Sequence, residues 1–383
     1  GAHVISKGWQ SYIAYGRWSG ASKSHLVKIG SKLSVYWHGI YTRLTDRHGF
    51  ASTNATKKFI REIEKIKPDI IQLHAIHGYY INIKILFKYL VKANIPVVWT
   101  FHDCWAFTGH CVHFENINCE KWKTQCHDCK ELYGYPFSFH DSSQKNYQDK
   151  KTLFTSIANM TIVSVCNWMN EIVKKSFLNE KKLTVIKNGI DINVFKEVDS
   201  TNTKRKYQIP NDKYVIIAVA SRWNKTKGLQ DIFCIAKDLY PDMVLVLVGV
   251  TRQQVKYALP NIIAIGHTEN VSELAALYSL ADVLINPTYQ DTYPSINLEA
   301  IACGTPVITY NTGGCAESIN SETGIVIEQG NINEMLNAIL LIKEKGKSSY
   351  SKACKNMAIT NFDKNERYKD YFNLYNNIKS QLY

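Results

Sequence analysis

The chain has 383 residues, of which 45% are hydrophobic and 21% charged. This balance is typical of a water-soluble globular protein and excludes a disordered one. The length is sufficient for two domains of ordinary size. No run of about 18 uncharged apolar residues occurs, so no transmembrane helix is expected, and the start carries no secretory signal pattern.

The net charge of +13 is unevenly distributed. Residues 1–160 contain 21 Lys and Arg against 11 Asp and Glu, and they also hold eleven of the twelve histidines. A basic amino-terminal half predicts an anionic partner, either an acidic membrane surface or nucleic acid; a generally lysine-rich composition is the alternative. Since no RNA- or DNA-binding signature accompanies the charge, nucleic acid is not expected. We expect a cytoplasmic protein held at the inner face of the membrane.

In chain order, short apolar runs alternate with helical patterns through the first half. The predicted strands are 11–15, 33–37, 70–74, 97–101 and 161–165, and the clearest helices are 55–66 and 83–93. Strands that are apolar throughout and separated by helices indicate a parallel sheet buried on both faces.

The second half repeats this scheme. Its predicted strands are 215–219, 244–248, 262–266, 283–286, 307–310 and 324–327, and its helices include 229–239, 271–280, 295–303 and 332–343. The fold class is therefore α/β, with two doubly wound, Rossmann-like domains. We place the domains at 1–186 and 187–353, with a linker at 187–212 and carboxyl-terminal helices at 354–383 that are expected to return to the first domain. Because ligands of such sheets bind beyond the carboxyl ends of the strands, a cleft between the domains is expected.

A cysteine-rich segment interrupts the first domain between positions 104 and 129. Its spacing is Cys111-x7-Cys119-x6-Cys126-x2-Cys129. Four such cysteines can provide a tetrahedral structural Zn²⁺ site in a segment that has little core of its own. Disulfides and free thiols are the alternatives. The size of the protein favours a reducing cytosol with one local cysteine site over a secreted disulfide scaffold.

Two further motifs follow predicted strands of the second domain. Arg222 and Lys227 lie in a loop between a strand and a helix, where cations are either solvated or bind phosphate. Asp291 precedes a helix that opens near Pro294, and Glu299 lies inside it. The helix start favours anions through its backbone N–H groups. Carboxylates on both sides of a phosphate site suit a ligand with hydroxyls at both ends and phosphate in the middle, which is the layout of a nucleotide-sugar.

With Asp291-x7-Glu299 followed by Gly-Thr-Pro-Val, and with the Arg222/Lys227 loop, the chain resembles the retaining glycosyltransferases of the two-domain GT-B class, family 4 or group 1 type. The nearest resemblance is to bacterial capsule and exopolysaccharide transferases. It covers nearly the whole chain. It implies a hexosyltransferase that moves a sugar from a UDP-, GDP- or ADP-sugar to a glycan or lipid-linked acceptor in surface polysaccharide synthesis.

The resemblance also implies roles for individual residues. Arg222 and Lys227 would stabilise the leaving diphosphate, Glu299 would bind the ribose, and Asp291 the sugar hydroxyls. His102, in Phe-His-Asp-Cys at a strand end, would lie near the reacting carbon, and Glu317 near the Arg/Lys pair. Catalysis would require no metal or other cofactor. The remaining residues of the expected donor site are Tyr293, Pro294, Ser295 and Gly266.

The sequence departs from the family pattern in three places. Asp291 stands where the family usually has Glu, and Pro294 where a glycine is common. The family opens with a strand and a Gly-rich loop, whereas Gly1–Trp9 resembles the end of the first helix. If those upstream residues are absent from the protein, we expect weak or no activity.

Three other readings remain open from the sequence. They are a catalytically inactive nucleotide-sugar binder, a related GT-B epimerase, and a zinc-dependent nucleic-acid module on the basic half. The segment from Tyr41 to Gly49 either binds an acceptor or membrane phosphate or pairs its charges internally. His74 and His77 either contact the acceptor or serve packing.

Overall fold

The computed structural model describes residues 1–256 and 259–381. The chain divides into two compact units. Unit 1 contains Gly1–Ile186 and the carboxyl-terminal residues from Tyr368 onward, and unit 2 contains Lys187–Arg367.

The strands of unit 1 are all parallel in the part of the chain that is described. They are β1 (Tyr12–Tyr15), β2 (His25–Lys28), β3 (Ile71–Leu73), β4 (Val97–Phe101), β5 (Met160–Ser164) and β6 (Lys182–Val185). β1 pairs with β2, while β3 to β6 form a four-stranded sheet in sequence order. Every residue of β4 and β5 is buried, as the uniformly apolar runs predicted. The sequence pattern did not predict β2 and β6.

The helices of unit 1 fill the connections between these strands. They are α1 (Ala2–Ser6), α2 (Lys32–Thr45), α3 (Thr53–Ile66), α4 (Ile83–Ala93), α5 (Ser143–Thr155) and α6 (Asn167–Lys174). Three short 3₁₀ turns occupy the cysteine-rich segment: Trp105–Phe107, Glu115–Ile117 and Lys121–Lys123.

The predicted strand at 33–37 is wrong, because these residues lie inside α2. Ser31 caps the helix by accepting a hydrogen bond from the Ser34 N–H at 3.2 Å, and the Ser31 N–H donates to Ser34 Oγ at 3.1 Å. This reciprocal pair satisfies two of the helix's orphan donors and fixes its first turn. Five residues were too few to distinguish a short apolar strand from one turn of an apolar helix face.

Unit 2 contains one six-stranded parallel sheet. Its strands are β7 (Tyr214–Val219), β8 (Met243–Val248), β9 (Ile262–Ile265), β10 (Val283–Asn286), β11 (Val307–Tyr310) and β12 (Gly324–Ile327), in the order β12-β11-β10-β7-β8-β9. The chain runs outward from β7 to β9, then returns to the other side of β7 and runs outward again. The sheet therefore has a switch point between β7 and β10, where open α/β sheets bind ligands. The α/β fold class with two parallel-sheet units is confirmed.

The helices of unit 2 alternate with its strands. They are α7 (Thr201–Lys206), α8 (Leu229–Lys237), α9 (Arg252–Val255), α10 (Val271–Leu280), α11 (Ser295–Ala302), α12 (Ile332–Lys345) and α13 (Ser348–Met357). A π-helical turn at Ala358–Phe362 leads into α14 (Lys364–Ser380). The segment 187–212 is an ordered part of unit 2: the Ile190 N–H donates to Phe362 O at 2.7 Å, and Ile190 O accepts from the Lys364 N–H at 2.9 Å.

Side chains of α14 complete the core of unit 1. Tyr371, Leu374, Tyr375 and Ile378 pack against the buried residues Val98, Val163 and Ile186. The hydroxyls of Tyr371 and Thr100 share a hydrogen bond of 3.1 Å. These contacts place the last turns of the chain on the parallel sheet of unit 1.

Candidate active site

The loop after β7 packs closely against the loop after β10. Asn224 caps a 3₁₀ turn at Lys225–Lys227, where its Oδ1 accepts from the Lys227 N–H at 2.9 Å. Gly228 follows with φ +73°, and a Cβ at this position would lie 2.1 Å from Pro287 O. Only glycine combines this backbone conformation with that contact. The Tyr289 N–H donates to Thr226 O at 2.8 Å, so the loops after β7 and β10 are joined.

Lys227 and Asp291 meet where these two loops join. Lys227 Nζ lies 2.6 Å from Asp291 Oδ2 and 3.3 Å from Gln290 O. Both side chains retain partial exposure, 35% for Lys227 and 22% for Asp291. Since β7 and β10 flank the switch point of the sheet, this ion pair lies where the fold binds ligands. Arg222 lies exposed in the same loop.

Glu299 is held by two neighbouring side chains. The buried Tyr278 hydroxyl donates to Glu299 Oε2 at 3.0 Å. Burial raises the pKa of the Glu299 carboxyl, while hydrogen bonds from Ser295 and Tyr278 act in the opposite direction. Tyr278 lies on α10, and its role could not be read from the sequence, because an aromatic residue in a helix is usually core.

The start of α11 lies between the two carboxylates, as the sequence predicted. Pro294, with φ −72°, is the cap residue, and the helix begins at Ser295. The Tyr293 side chain is buried, and Lys187 Nζ lies 5.8 Å from the centroid of its ring. Lys187 also pairs with Glu317, with 3.7 Å between Nζ and Oε2. The family resemblance implied that Glu317 lies near Arg222 and Lys227. Its contact with Lys187 was not predicted from the sequence.

Gly266 directly follows β9, at the edge of the sheet. Two strand spacings, about 10 Å, separate β9 from β7. The loops that carry Lys227, Asp291 and Gly266 therefore follow the carboxyl ends of three strands, whereas Glu299 lies inside α11.

In unit 1, His102 contacts a second histidine. His102 follows β4 and His74 follows the adjacent β3, and His102 Nε2 lies 3.1 Å from His74 Nδ1. Their rings stack with centroids 5.3 Å apart. Desolvation lowers the pKa of His74 to about 4, with a smaller contribution from the nearby His102. Desolvation also lowers the pKa of His102. Both residues nevertheless keep an exposed surface. A neutral imidazole pair can both donate and accept hydrogen bonds at this strand edge.

Asp103 contacts the His77 side chain and the Trp105 backbone. Asp103 Oδ2 lies 3.1 Å from His77 Nε2, and Oδ1 accepts from the Trp105 N–H at 2.9 Å. The His77 ring stacks on Trp105, with 5.1 Å between centroids. His77 is thus fixed by packing and by one carboxylate. It lines the same small pocket as His74 and His102.

The four cysteines predicted to bind zinc line one cavity together with His110 and Trp122. Cys111, Cys119, Cys126 and Cys129 each carry a free thiol. Three of the sulfurs make other contacts: the Gly109 N–H donates to Cys126 Sγ at 3.2 Å, and a hydrogen bond between Cys111 and Cys129 helps to lower the pKa of Cys129 to about 7.

A structural zinc ion requires four ligands converging at about 2.3 Å. Among residues 1–256 and 259–381, no group of three or more His, Cys, Asp or Glu side chains is arranged to hold a metal ion. The predicted zinc ligand set is therefore not assembled in this structure, and zinc binding stays a prediction. Protonated thiols can share hydrogen bonds, whereas four thiolates without a cation would repel one another.

Asp46 and Arg47, in the segment from Tyr41 to Gly49, are paired with residues outside the segment, whereas Arg43 is exposed. Asp46 is fully buried and accepts from the Ser142 N–H at 2.8 Å. Arg47 donates to Asn146 Oδ1 at 2.8 Å and pairs with Asp149. Within the described part of the chain, no helix has both the length and the apolar character needed to span a membrane.

Similar proteins place this arrangement in a known class. The model of the glycosyl transferases group 1 matches residues 199–360, and that of glycosyltransferase family 4 matches residues 2–194. The chain is 22% identical to the putative colanic acid biosynthesis glycosyl transferase WcaC of Escherichia coli (strain K12), over 87% of this chain and 83% of that protein.

Solved structures share the fold. Sucrose-phosphate synthase from Thermosynechococcus elongatus aligns over 99% of this chain and 91% of its own, with a TM-score of 0.73 and 15% identity. Anabaena HepE in complex with UDP aligns over 92% and 86%, with a TM-score of 0.65 and 16% identity.

The two parallel α/β units and these structural neighbours show the GT-B fold, and the two matching family models show a glycosyltransferase. The chain belongs to glycosyltransferase family 4.

Proposed function

We propose that this protein is a retaining glycosyltransferase that takes a sugar from a nucleoside diphosphate sugar and transfers it to a glycan or lipid-linked acceptor. The observation that carries the proposal is the Lys227–Asp291 ion pair at the switch point of unit 2, beside the start of α11. The Lys227 ammonium, the Asp291 carboxylate and the start of α11 lie within one cluster of loops. This set matches a ligand that combines phosphate with hydroxyls.

Each donor group has a candidate partner in unit 2. Lys227 and Arg222 would bind the diphosphate, Glu299 the ribose hydroxyls, and Asp291 a sugar hydroxyl. The first backbone N–H groups of α11 would add donors to phosphate oxygens. Tyr278 and Ser295 donate hydrogen bonds to the Glu299 carboxylate, and because each carboxylate oxygen can accept more than one hydrogen bond, Glu299 can still accept from the ribose. HepE in complex with UDP is consistent with a nucleoside diphosphate ligand for this fold.

The chemistry would need charge stabilisation rather than an enzyme nucleophile. As the bond from the anomeric carbon to the diphosphate oxygen breaks, negative charge develops on the diphosphate next to Lys227 and Arg222. The acceptor oxygen would attack the same face of the sugar, and its proton would pass to the departing phosphate. His102 would lie near the reacting carbon. This route retains the anomeric configuration and requires no metal.

The name of the relative WcaC supports a role in surface polysaccharide synthesis. The excess of positive charge in residues 1–160 fits an acceptor presented at an anionic membrane.

The direct test is a thermal-shift panel of UDP, GDP, ADP and TDP with their sugars, followed by transfer assays with the donor that binds. A ligand that binds only the folded form raises the melting temperature by mass action. We expect one nucleotide series to stabilise the protein, and the product formed from it to keep the donor's anomeric configuration by NMR. No stabilisation by any nucleoside diphosphate, or an inverted product, would reject the proposal.

A further inference from the structure

Helix α2 presents apolar side chains outward and polar side chains inward. Its buried residues are His38 and Thr42. Thr42 Oγ1 donates to His38 O at 3.0 Å, and His38 Nδ1 lies 2.8 Å from Ser52 Oγ. A helix on the surface of a water-soluble domain normally has the opposite polarity. The outer face of α2 therefore requires an explanation beyond folding of the domain.

The outer face of α2 is a continuous apolar stripe. Its side chains are between 41% and 65% exposed: Leu33, Tyr36, Trp37, Tyr41 and Leu44. Spacings of three, four, seven and eleven residues put them on one side of an α-helix. At such exposure each contributes on the order of 100 Å², so together they reach the ~300–600 Å² of patches that commonly serve an interaction.

A neighbouring loop extends this stripe. The Phe139 N–H donates to Arg43 O at 2.8 Å, at the last turn of α2. The Phe139 side chain is 67% exposed, and its ring meets Phe137 with centroids 4.9 Å apart. Aromatic rings thus continue the apolar surface past the end of the helix.

The exposed charges in the stretch of chain that contains α2 have one sign. Residues 1–51 contain seven Lys and Arg and a single acid, Asp46, which is fully buried. Arg47 is paired with Asp149. The other six basic side chains are exposed: Lys7, Arg17, Lys23, Lys28, Lys32 and Arg43. Two of them, Lys32 and Arg43, lie on α2 itself. The exposed charge of this stretch is therefore entirely positive.

We propose that α2 is a membrane-docking helix that lies in the plane of an anionic lipid bilayer. Leucine and aromatic side chains would enter the boundary between headgroups and acyl chains, and the lysines and arginines would bind anionic headgroups. The net charge of the first half predicts an anionic partner in general. The apolar stripe selects a bilayer, because nucleic acid offers leucine side chains no apolar phase.

Vesicle co-sedimentation tests the proposal with the full chain. The vesicles are phosphatidylglycerol mixed with phosphatidylcholine, or phosphatidylcholine alone. We expect binding to the anionic vesicles that weakens at high salt, and at least tenfold weaker binding to the neutral ones. The triple variant Leu33→Ser, Trp37→Ser, Leu44→Ser should bind anionic vesicles at least tenfold more weakly. Reversing charge with Lys32→Glu and Arg43→Glu should have a similar effect.

The matched control is Tyr240→Ser with Ile359→Ser, which removes two apolar side chains that are 56% and 62% exposed in unit 2. This double variant should bind as the wild type does. Because all substituted side chains are exposed, circular dichroism and melting temperature should remain close to wild type.

Two results would overturn the assignment. One is equal binding by the wild type and the triple variant, or no vesicle binding by a folded wild type. The other is a wild-type dimer in analytical ultracentrifugation that the triple variant converts to a monomer, because the stripe would then be covered by a second copy of the chain. Neither outcome depends on nucleotide-sugar binding.

Discussion

Lys227 shows how one side chain can be both positioned and available. Its ammonium contacts Asp291 Oδ2 at 2.6 Å and Gln290 O at 3.3 Å, yet its side chain is 35% exposed. A partly exposed ion pair contributes little to folding stability, about 0–1 kcal/mol. The pair is therefore better explained by what it holds in place than by the stability it adds.

Replacing Lys227 by Ala should lower kcat by about 100-fold or more, since a donor to developing charge is worth roughly 3 kcal/mol of barrier. Lys225→Ala is the matched control, because Lys225 is exposed in the same 3₁₀ turn. Steady-state transfer assays with both variants give the comparison. Equal losses for the two variants would remove Lys227 from the proposed diphosphate site.

The sequence could predict which residues belong to the candidate site, but not which side chains they contact. The types and spacing of Lys227, Asp291 and Glu299 were sufficient to indicate a donor site. The contacts of the candidate residues could not be predicted. Tyr278 contacts Glu299, Lys187 contacts Glu317 and His74 contacts His102, and these partners are 21 to 130 residues apart in the chain. Such pairs depend on which strands are adjacent, and a local pattern carries no information about adjacency.

At the scale of elements, α2 is anchored by a histidine that must be neutral. The Gly49 N–H donates to His38 Nε2 at 3.2 Å, so this nitrogen accepts and the proton resides on Nδ1 beside Ser52. Burial lowers the pKa of His38 to about 4. In the unfolded chain the same imidazole has a pKa near 6.5. Below that pH the unfolded state binds a proton that the folded state excludes.

His38 should therefore make unit 1 less stable in acid. The contribution of neutral His38 to the free energy of unfolding is complete above pH 6.5 and declines as the pH falls toward 4. At pH 5 the loss amounts to about 2 kcal/mol. Urea unfolding at pH 7 and pH 5, followed by tryptophan fluorescence, measures the loss, since seven of the eight tryptophans lie in residues 1–186.

His38→Gln separates this effect from the other titrating groups. The glutamine carbonyl can still accept from Gly49 N–H, but it does not titrate. The variant should be less stable at pH 7 and lose about 2 kcal/mol less than wild type between pH 7 and pH 5. An identical pH dependence in both proteins would contradict the assigned role.

Elements of the two sheets differ in how well they could be predicted. β4 and β10 were predicted to the residue, because both are mostly apolar and flanked by clear helical patterns. β2 and β6 were missed, and most of their residues are exposed or half-buried. Part of α2 was misassigned as a strand because the short apolar run at 33–37 fits one turn of a helix as well as a strand.

At the scale of the molecule, the end of the chain stabilises unit 1 specifically. Tyr371, Leu374, Tyr375 and Ile378 pack against Val98, Val163 and Ile186. The Tyr375 hydroxyl also donates to Gln72 Oε1. These contacts connect positions roughly 200 to 300 residues apart along the chain.

Deleting residues 368–383 should destabilise unit 1 by roughly 4 kcal/mol or more, because four partly buried apolar side chains contribute about 1–2 kcal/mol each. Hydrogen exchange by mass spectrometry resolves the two units: exchange should accelerate in β3 to β6 and remain unchanged in β7 to β12. Asn376→Ala, at an exposed position of α14, is the control and should leave both units protected. Equal acceleration in both units would show that the contribution of α14 is not specific to unit 1.

The sequence by itself determined the class of fold and the residue types from which the donor site is proposed. Uniformly apolar strands require burial on both faces, and the acid and base types at strand ends define which ligand groups they can bind. Only the tertiary structure decided which side of α2 faces the domain, that His74 stacks on His102, and that Lys227 meets Asp291. The reason is that composition and periodicity are local properties, whereas burial and contact depend on strand order and on segments distant in the chain.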